Sequence, residues 1–179
     1  SNDLIKYEDL KINNGLTYCG LMKQLRSKIK KNGCWKKIDQ ETRCHLDPDI
    51  NRDIIERRKN WRPCFGQVGS AQSHLEKRGV CENDIFLYFG WFRKTIIRND
   101  KYEFDPLDKG MHAIFGYLQI GEILKVGRGC TVPDWISYHS HISKRFRGNN
   151  SNTIYIGRNE LSWNRLIPGA GIFPFKEDL

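Results

Sequence analysis

No stretch of this sequence approaches the roughly 18 consecutive apolar residues that a membrane-spanning helix needs. The first twenty residues hold no unbroken apolar run and no small-residue cleavage site, which points away from export and makes the cytoplasm the expected setting. The six cysteines, Cys19, Cys34, Cys44, Cys64, Cys81 and Cys130, contain no CxxC pair. Zinc-type spacing is therefore missing, and without a secretory context reduced, mostly buried thiols are expected. The chain also lacks a Walker phosphate loop, an HxE with paired cysteines and a GxSxG elbow, so no motif selects a reaction class. There is no internal repeat and no linker long enough to divide the chain, so a single domain over residues 1–179 is expected.

What the chain has in excess is positive charge: 30 Lys and Arg stand against 21 Asp and Glu, a formal net charge of +9. Such an excess suits an anionic partner, phosphate above all, because each phosphate neutralised releases condensed counterions. The plain alternative is a basic protein that its charge keeps soluble. With 39% hydrophobic and 28% charged residues the composition is globular, and a domain of this length buries roughly 70% of its unfolded surface.

Along the chain, an extended opening gives way to Leu16, Leu21, Met22, Leu25 and Ile29 at near-helical spacing, which predicts one amphipathic helix of about 14 residues. Lys28, Lys30 and Lys31 would lie at its C-terminal end, where they suit the helix dipole. Ser70 is the expected N-cap of a second helix that Gly79 closes, and Gly66 and Gly69 ahead of it leave backbone N–H groups open to an anion. Ile85–Phe92 and His112–Leu124 read as long strands, the second with bulges at Gly116 and Gly121. Lys94 to Lys109 reads as a hairpin loop, and a short helix is expected after Pro133. The basic, Asn-rich segment Ser143 to Asn152 is expected to be mobile or ordered by a ligand. Thr153 to Gly157 is a third strand, and Pro168-Gly169-Ala170-Gly171 a tight turn before a final apolar piece. The fold class that follows is α+β, a single domain with a mixed, mostly antiparallel sheet and short flanking helices, or a small barrel.

All five histidines, His45, His74, His112, His139 and His141, fall in motif-like segments. Histidine exchanges protons near neutral pH and binds metals when neutral; each could equally be a core residue satisfied by a backbone carbonyl. In an extended segment His45, Asp47 and Asp49 would share one face, as an acid–base group or a hard-cation site, with a turn in which Asp47 or Asp49 caps nearby N–H groups as the alternative. Glu122, in an apolar strand, is either a perturbed buried carboxylate or an outward-facing one. His45, Asp47, Asp49, His74 and Glu122 form the candidate catalytic set. Gln67, Gln72, Gln119, His112, His139 and His141 are candidate nucleotide contacts. Trp91 is the expected exposed aromatic for base stacking with Arg93 beside it, and Lys144, Arg145 and Arg147 are the expected phosphate contacts, or else a solvated loop. Neither a metal nor a cofactor is specified by these patterns.

Several segments together resemble one family. His45-Leu46-Asp47-Pro48-Asp49, Phe65-Gly66-Gln67, Ala71-Gln72-Ser73-His74-Leu75, Phe86–Phe92, His112–Ile123, Asn152-Thr153-Ile154-Tyr155-Ile156 and Pro168–Phe173 are similar to the third type of nucleotide modification associated domain, over nearly the whole chain from Tyr7. The resemblance implies association with phage and bacterial systems that alter DNA bases, and hence a nucleic-acid or nucleotide partner, with no reaction attached. Two departures qualify it: the family pattern has Pro between the two histidines where this chain has Ser140, and related chains carry segments beyond both ends, which could complete a site. A further likeness, of Asn83-Asp84 with its strand and of Gly121-Glu122-Ile123, is to the barrels of the PUA, ASCH and EVE group, which implies a non-catalytic reader of modified bases or single strands as the alternative function.

Overall fold

The computed structural model describes residues 4–12, 15–31 and 33–174. In chain order its elements are α1 (Tyr18–Leu25), β1 (Lys28–Lys31), β2 (Cys34–Lys37), β3 (Cys64–Gln67), α2 (Gly69–Lys77), β4 (Ile85–Phe92), β5 (Thr95–Arg98), β6 (Lys101–Phe104), β7 (Met111–Leu124), α3 (Lys144–Arg147), β8 (Thr153–Gly157), β9 (Glu160–Leu161), β10 (Asn164–Pro168) and β11 (Ala170–Ile172). Single turns of 3₁₀ helix lie at Arg52–Ile54, Val126–Arg128, Asp134–Ile136 and Ser140–Ile142.

The long strand β7 organises the molecule. Its N-terminal stretch pairs antiparallel with β4 on one edge and β11 on the other, and its C-terminal stretch pairs with β8, which in turn pairs with β3. The register slips where Phe115 and Gly121 are each left without a Cα partner, so bulges sit at or beside both glycines that interrupt the strand. One side of the sheet is closed by Leu118, Ile120, Tyr155 and Tyr88 with Phe65 and Phe86 packed edge to face. Ile154 and Ile156 of β8 point to a second cluster with Leu124, Val126 and Ile136. A smaller cluster of Leu10, Cys44 and Ile54 holds the N-terminal segment.

The class is α+β with antiparallel sheets, as expected, and the described strands do not close into a barrel. The strands at 85–92 and 153–157 fall where expected, β7 begins one residue early, and 94–109 contains the β5–β6 hairpin turning at Asn99 and Asp100, both with positive φ. The expected first helix is too long. Thr17 caps it through the Gly20 N–H, but the backbone turns extended at Arg26, and Ile29 and the lysines beyond it form the β1–β2 hairpin instead. The N-cap of α2 is Val68 rather than Ser70, and Gly79 follows the helix with φ +73°. Segment 143–152 contains α3 and ends in Asn152, whose side chain is fully buried. The expected extended opening and final apolar piece fall partly outside the described residues.

Candidate functional site

Residues 47–50 run beside β3, held by the reciprocal backbone bonds between Asp49 and Cys64. This places Asp47 against the middle of β3, where its Oδ1 accepts the Gly66 N–H at 2.9 Å. Three imidazoles surround the same carboxylate: His45 Nε2 and His141 Nε2 lie 3.6 and 3.4 Å from Oδ2, and His139 Nε2 lies 3.7 Å from Oδ1. The Asp47, His139 and His141 side chains are almost wholly buried, whereas that of His45 is 41% exposed and forms the open side of the group. Burial alone would raise the Asp47 carboxyl, but hydrogen bonds from the His139, His141 and His45 rings, when their Nε2 atoms carry protons, outweigh it and hold it far below the usual carboxylate range.

The two buried histidines come from the 3₁₀ turn at Ser140–Ile142 and the residue before it, packed over β3 at a position only glycine allows. A Cβ on Gly66 would stand 2.4 Å from the His141 ring. His141 is gripped by Asn152, whose Nδ2 donates to the His141 carbonyl at 2.7 Å while its Oδ1 faces His141 Nδ1 at 2.8 Å. Phe146 of α3 stacks on the other side of the His141 ring, 4.8 Å between centroids and 11° from parallel, and meets His45 edge-on at 6.0 Å. Lys144, Arg145 and Arg147 flank Phe146 in α3 and are exposed, and the Arg145 guanidinium lies over the Phe146 ring, 4.9 Å from its centroid.

Asp49 does not join it. Its carboxylate is claimed by Arg57, whose Nη1 and Nη2 donate to Oδ2 and Oδ1 at 2.8 and 2.6 Å, and by the Tyr138 hydroxyl and Trp61 Nε1, with the guanidinium stacked on the Trp61 ring. The expectation that His45, Asp47 and Asp49 share a face is therefore corrected: His45 and Asp47 face each other, and Asp49 turns into a buried ion pair. That pair fastens the Tyr138 end of the histidine turn to the 47–57 segment. Burial, and after it Asp49, pushes the Tyr138 phenol well above its usual range. Burial, then Asp49 and Asp47, likewise raises the Cys64 thiol, which removes it as a nucleophile.

The remaining expected residues are distributed elsewhere. His74 is exposed in the last turn of α2, and His112 stands on the exposed edge of β7 against Trp91 and Phe89. Glu122 is 45% exposed and pairs with Arg62 at 3.3 Å, the outward-facing alternative. Gln119 and Gln72 are buried and satisfied, Gln119 by Asn83 and Ser162 and Gln72 by the Tyr155 hydroxyl. Gln67 accepts from the Val68 N–H, and Arg93 lies over the Phe104 ring and donates to Asp105 and Asp108 carbonyls. Trp91 is exposed, as is Phe89, which extends a row on β4 with Leu87 and Ile85. Asn152 and Phe146 are not singled out as site residues by sequence reasoning, and Gly66 and Gly69, expected to leave N–H groups open to an anion, instead donate them to Asp47 Oδ1 and Ser151 Oγ. The one available signal is that Asn152 opens the segment Asn152–Ile156, an amide immediately before a strand rich in β-branched and aromatic residues.

Chemically, this is a carboxylate with one oxygen held by donors and the other turned to two imidazole nitrogens. His45, Asp47 and His141 each offer one ligand-type atom, all within 4.8 Å of one another, and form the single such group of three or more among the described residues. The arrangement can share protons or hold a cation. A family model described as nucleotide modification associated domain 3 matches residues 1–179. No curated protein and no solved structure matches the chain.

Proposed function

Because this chain belongs to the nucleotide modification associated domain 3 family, we propose that it binds a nucleotide, free or within nucleic acid, at the centre built on Asp47, and acts there in base modification. The observation that supports the reading is the position of α3: its Phe146 lies against His141 and His45 and carries the Arg145 guanidinium over its ring at 4.9 Å, with Lys144 and Arg147 flanking it in sequence. Cations that neutralise phosphate thus stand on the helix that touches the side chains able to handle a base or sugar. His45, the exposed member, is the group an incoming ligand meets first.

A salt titration with a single-stranded oligonucleotide and with a nucleoside monophosphate tests this. Affinity should be present at about 50 mM salt and fall steeply by 200 mM. Reversing Lys144, Arg145 and Arg147 to Glu should lower the slope of log affinity against log salt by about 2, since each phosphate contact on a single strand contributes about 0.7. Affinity that is absent at low salt, or that ignores salt, defeats the proposal.

A second reading, a non-catalytic reader of single strands or modified bases, is favoured by the row Leu87, Phe89 and Trp91 on the open face of β4, with His112 edge-on to Trp91 at 4.9 Å. It needs no barrel, since exposed rings on an open sheet face suffice for stacking.

A further inference from the structure

We propose that His45 Nε2, Asp47 Oδ2 and His141 Nε2 bind one divalent first-row transition-metal ion, with its remaining coordination positions open on the His45 side. The proposal deepens the reading of this same centre and rests on it for location only.

Proton positions decide the matter. The Asn152 amide can lie only one way round, because its Nδ2 donates to the His141 carbonyl; its Oδ1 therefore faces His141 Nδ1 and can only accept. The neutral His141 ring then carries its proton on Nδ1 and aims the Nε2 lone pair at Asp47, the arrangement that outer partners impose on metal-binding histidines. His139 is fixed the opposite way. Its Nδ1 accepts the His141 N–H at 3.3 Å, so in the neutral ring the proton sits on Nε2, a buried atom with no hydrogen-bond partner that points toward Asp47 Oδ1. His139 is thus a donor toward the carboxylate and not a ligand.

Gly66 and His139 thereby occupy the Oδ1 side of Asp47 with N–H groups, and Oδ2 is left facing the His141 lone pair at 3.4 Å and His45 Nε2 at 3.6 Å. Two lone pairs in a buried setting repel unless something positive lies between them. A charge-assisted hydrogen bond would draw the atoms to about 2.7–2.9 Å. Donors about 2.0–2.2 Å from one ion in a tetrahedral site stand about 3.3–3.6 Å apart; the two distances to Oδ2, 3.4 and 3.6 Å, fall in that range, and all three atoms lie within 4.8 Å of one another. Two imidazoles with one carboxylate suit zinc, iron, manganese or cobalt, whereas magnesium and calcium take oxygen ligands. With the single carboxylate the site keeps a net positive charge, facing solvent where His45 is exposed, and so takes a water or an anionic oxygen of the ligand as its next donor.

The test uses the tag-free full chain with exposed Cys34 and Cys81 replaced by Ser, stripped with chelator and titrated with Co²⁺ in the absence of any nucleotide. One equivalent should bind, with visible d–d bands and no thiolate charge-transfer band. His45→Ala, at an exposed position that leaves folding intact, and His141→Gln should each weaken binding at least 10-fold. Asn152→Asp, which keeps an acceptor toward Nδ1, should retain the bands. Binding weaker than about millimolar, or bands that survive both histidine substitutions, overturns the proposal. Since no nucleotide is present, that result is separate from the outcome of the salt titration.

Discussion

Asp47 and Asp49 are two residues apart and have opposite fates, and the difference lies in which cation reaches each. A rigid guanidinium satisfies both oxygens of Asp49, while imidazoles approach Asp47 at longer range. Removing one side of a buried pair leaves the other charge uncompensated, so Asp49→Ala should destabilise the fold by about 3–5 kcal/mol in a urea titration. Tyr138→Phe deletes a hydrogen bond to that carboxylate and should remove about 1.5–3 kcal/mol at neutral pH. Its phenol keeps its proton in the fold to a higher pH than in the unfolded chain, where it is lost near 10. The stabilisation is therefore complete below pH 10 and fades as pH climbs above it. Tyr138→Phe should consequently flatten the loss of stability between pH 9 and 11, and an unchanged alkaline slope would show the phenol to be freely solvated. His45 and Asp47 are legible in the sequence because the motif places them side by side. The role of Asp49 is not, since nothing in the local pattern reveals that Arg57 folds back onto it.

Elements dominated by apolar, β-branched and aromatic residues are legible from their pattern: β4, β7 and β8 stand within a residue of expectation, and the glycines in β7 mark its bulges. Elements set by distant partners are not. The Lys-rich β1 lengthens the expected helix because Ile29 continues its spacing, and only pairing with β2 shows otherwise. The histidine turn depends on β3 in the same way, through the bare Cα of Gly66. Gly66→Ala should cost about 1–3 kcal/mol as an overpacked site, and because the added methyl displaces the His141 ring, cobalt binding should fall by more than 10-fold in protein that remains folded. Wild-type metal affinity in that variant would mean that the ring position is not critical.

Across the molecule, a net charge of +9 points to an anionic partner but not to where it lies, since charge counts carry no direction. Three of the cations behind that charge lie in α3, whose Phe146 touches the histidine group, and separately Phe89 and Trp91 are 72% and 57% exposed on the sheet. Replacing both aromatics by Ala should leave the thermal midpoint nearly unchanged, as exposed side chains do, while weakening single-strand binding by about 1–3 kcal/mol for each base they stack; unchanged affinity in a fluorescence titration would remove the reader role. The Asn152 clasp has an effect at this scale too. A single amide ties Asn152, at the end of the 141–152 segment, back to His141, which begins it, so the stretch is a closed loop hung on the histidine. Within that loop Arg145 lies over the Phe146 ring, which itself lies on His141, so a change of reach at 145 meets the imidazole through one intervening ring.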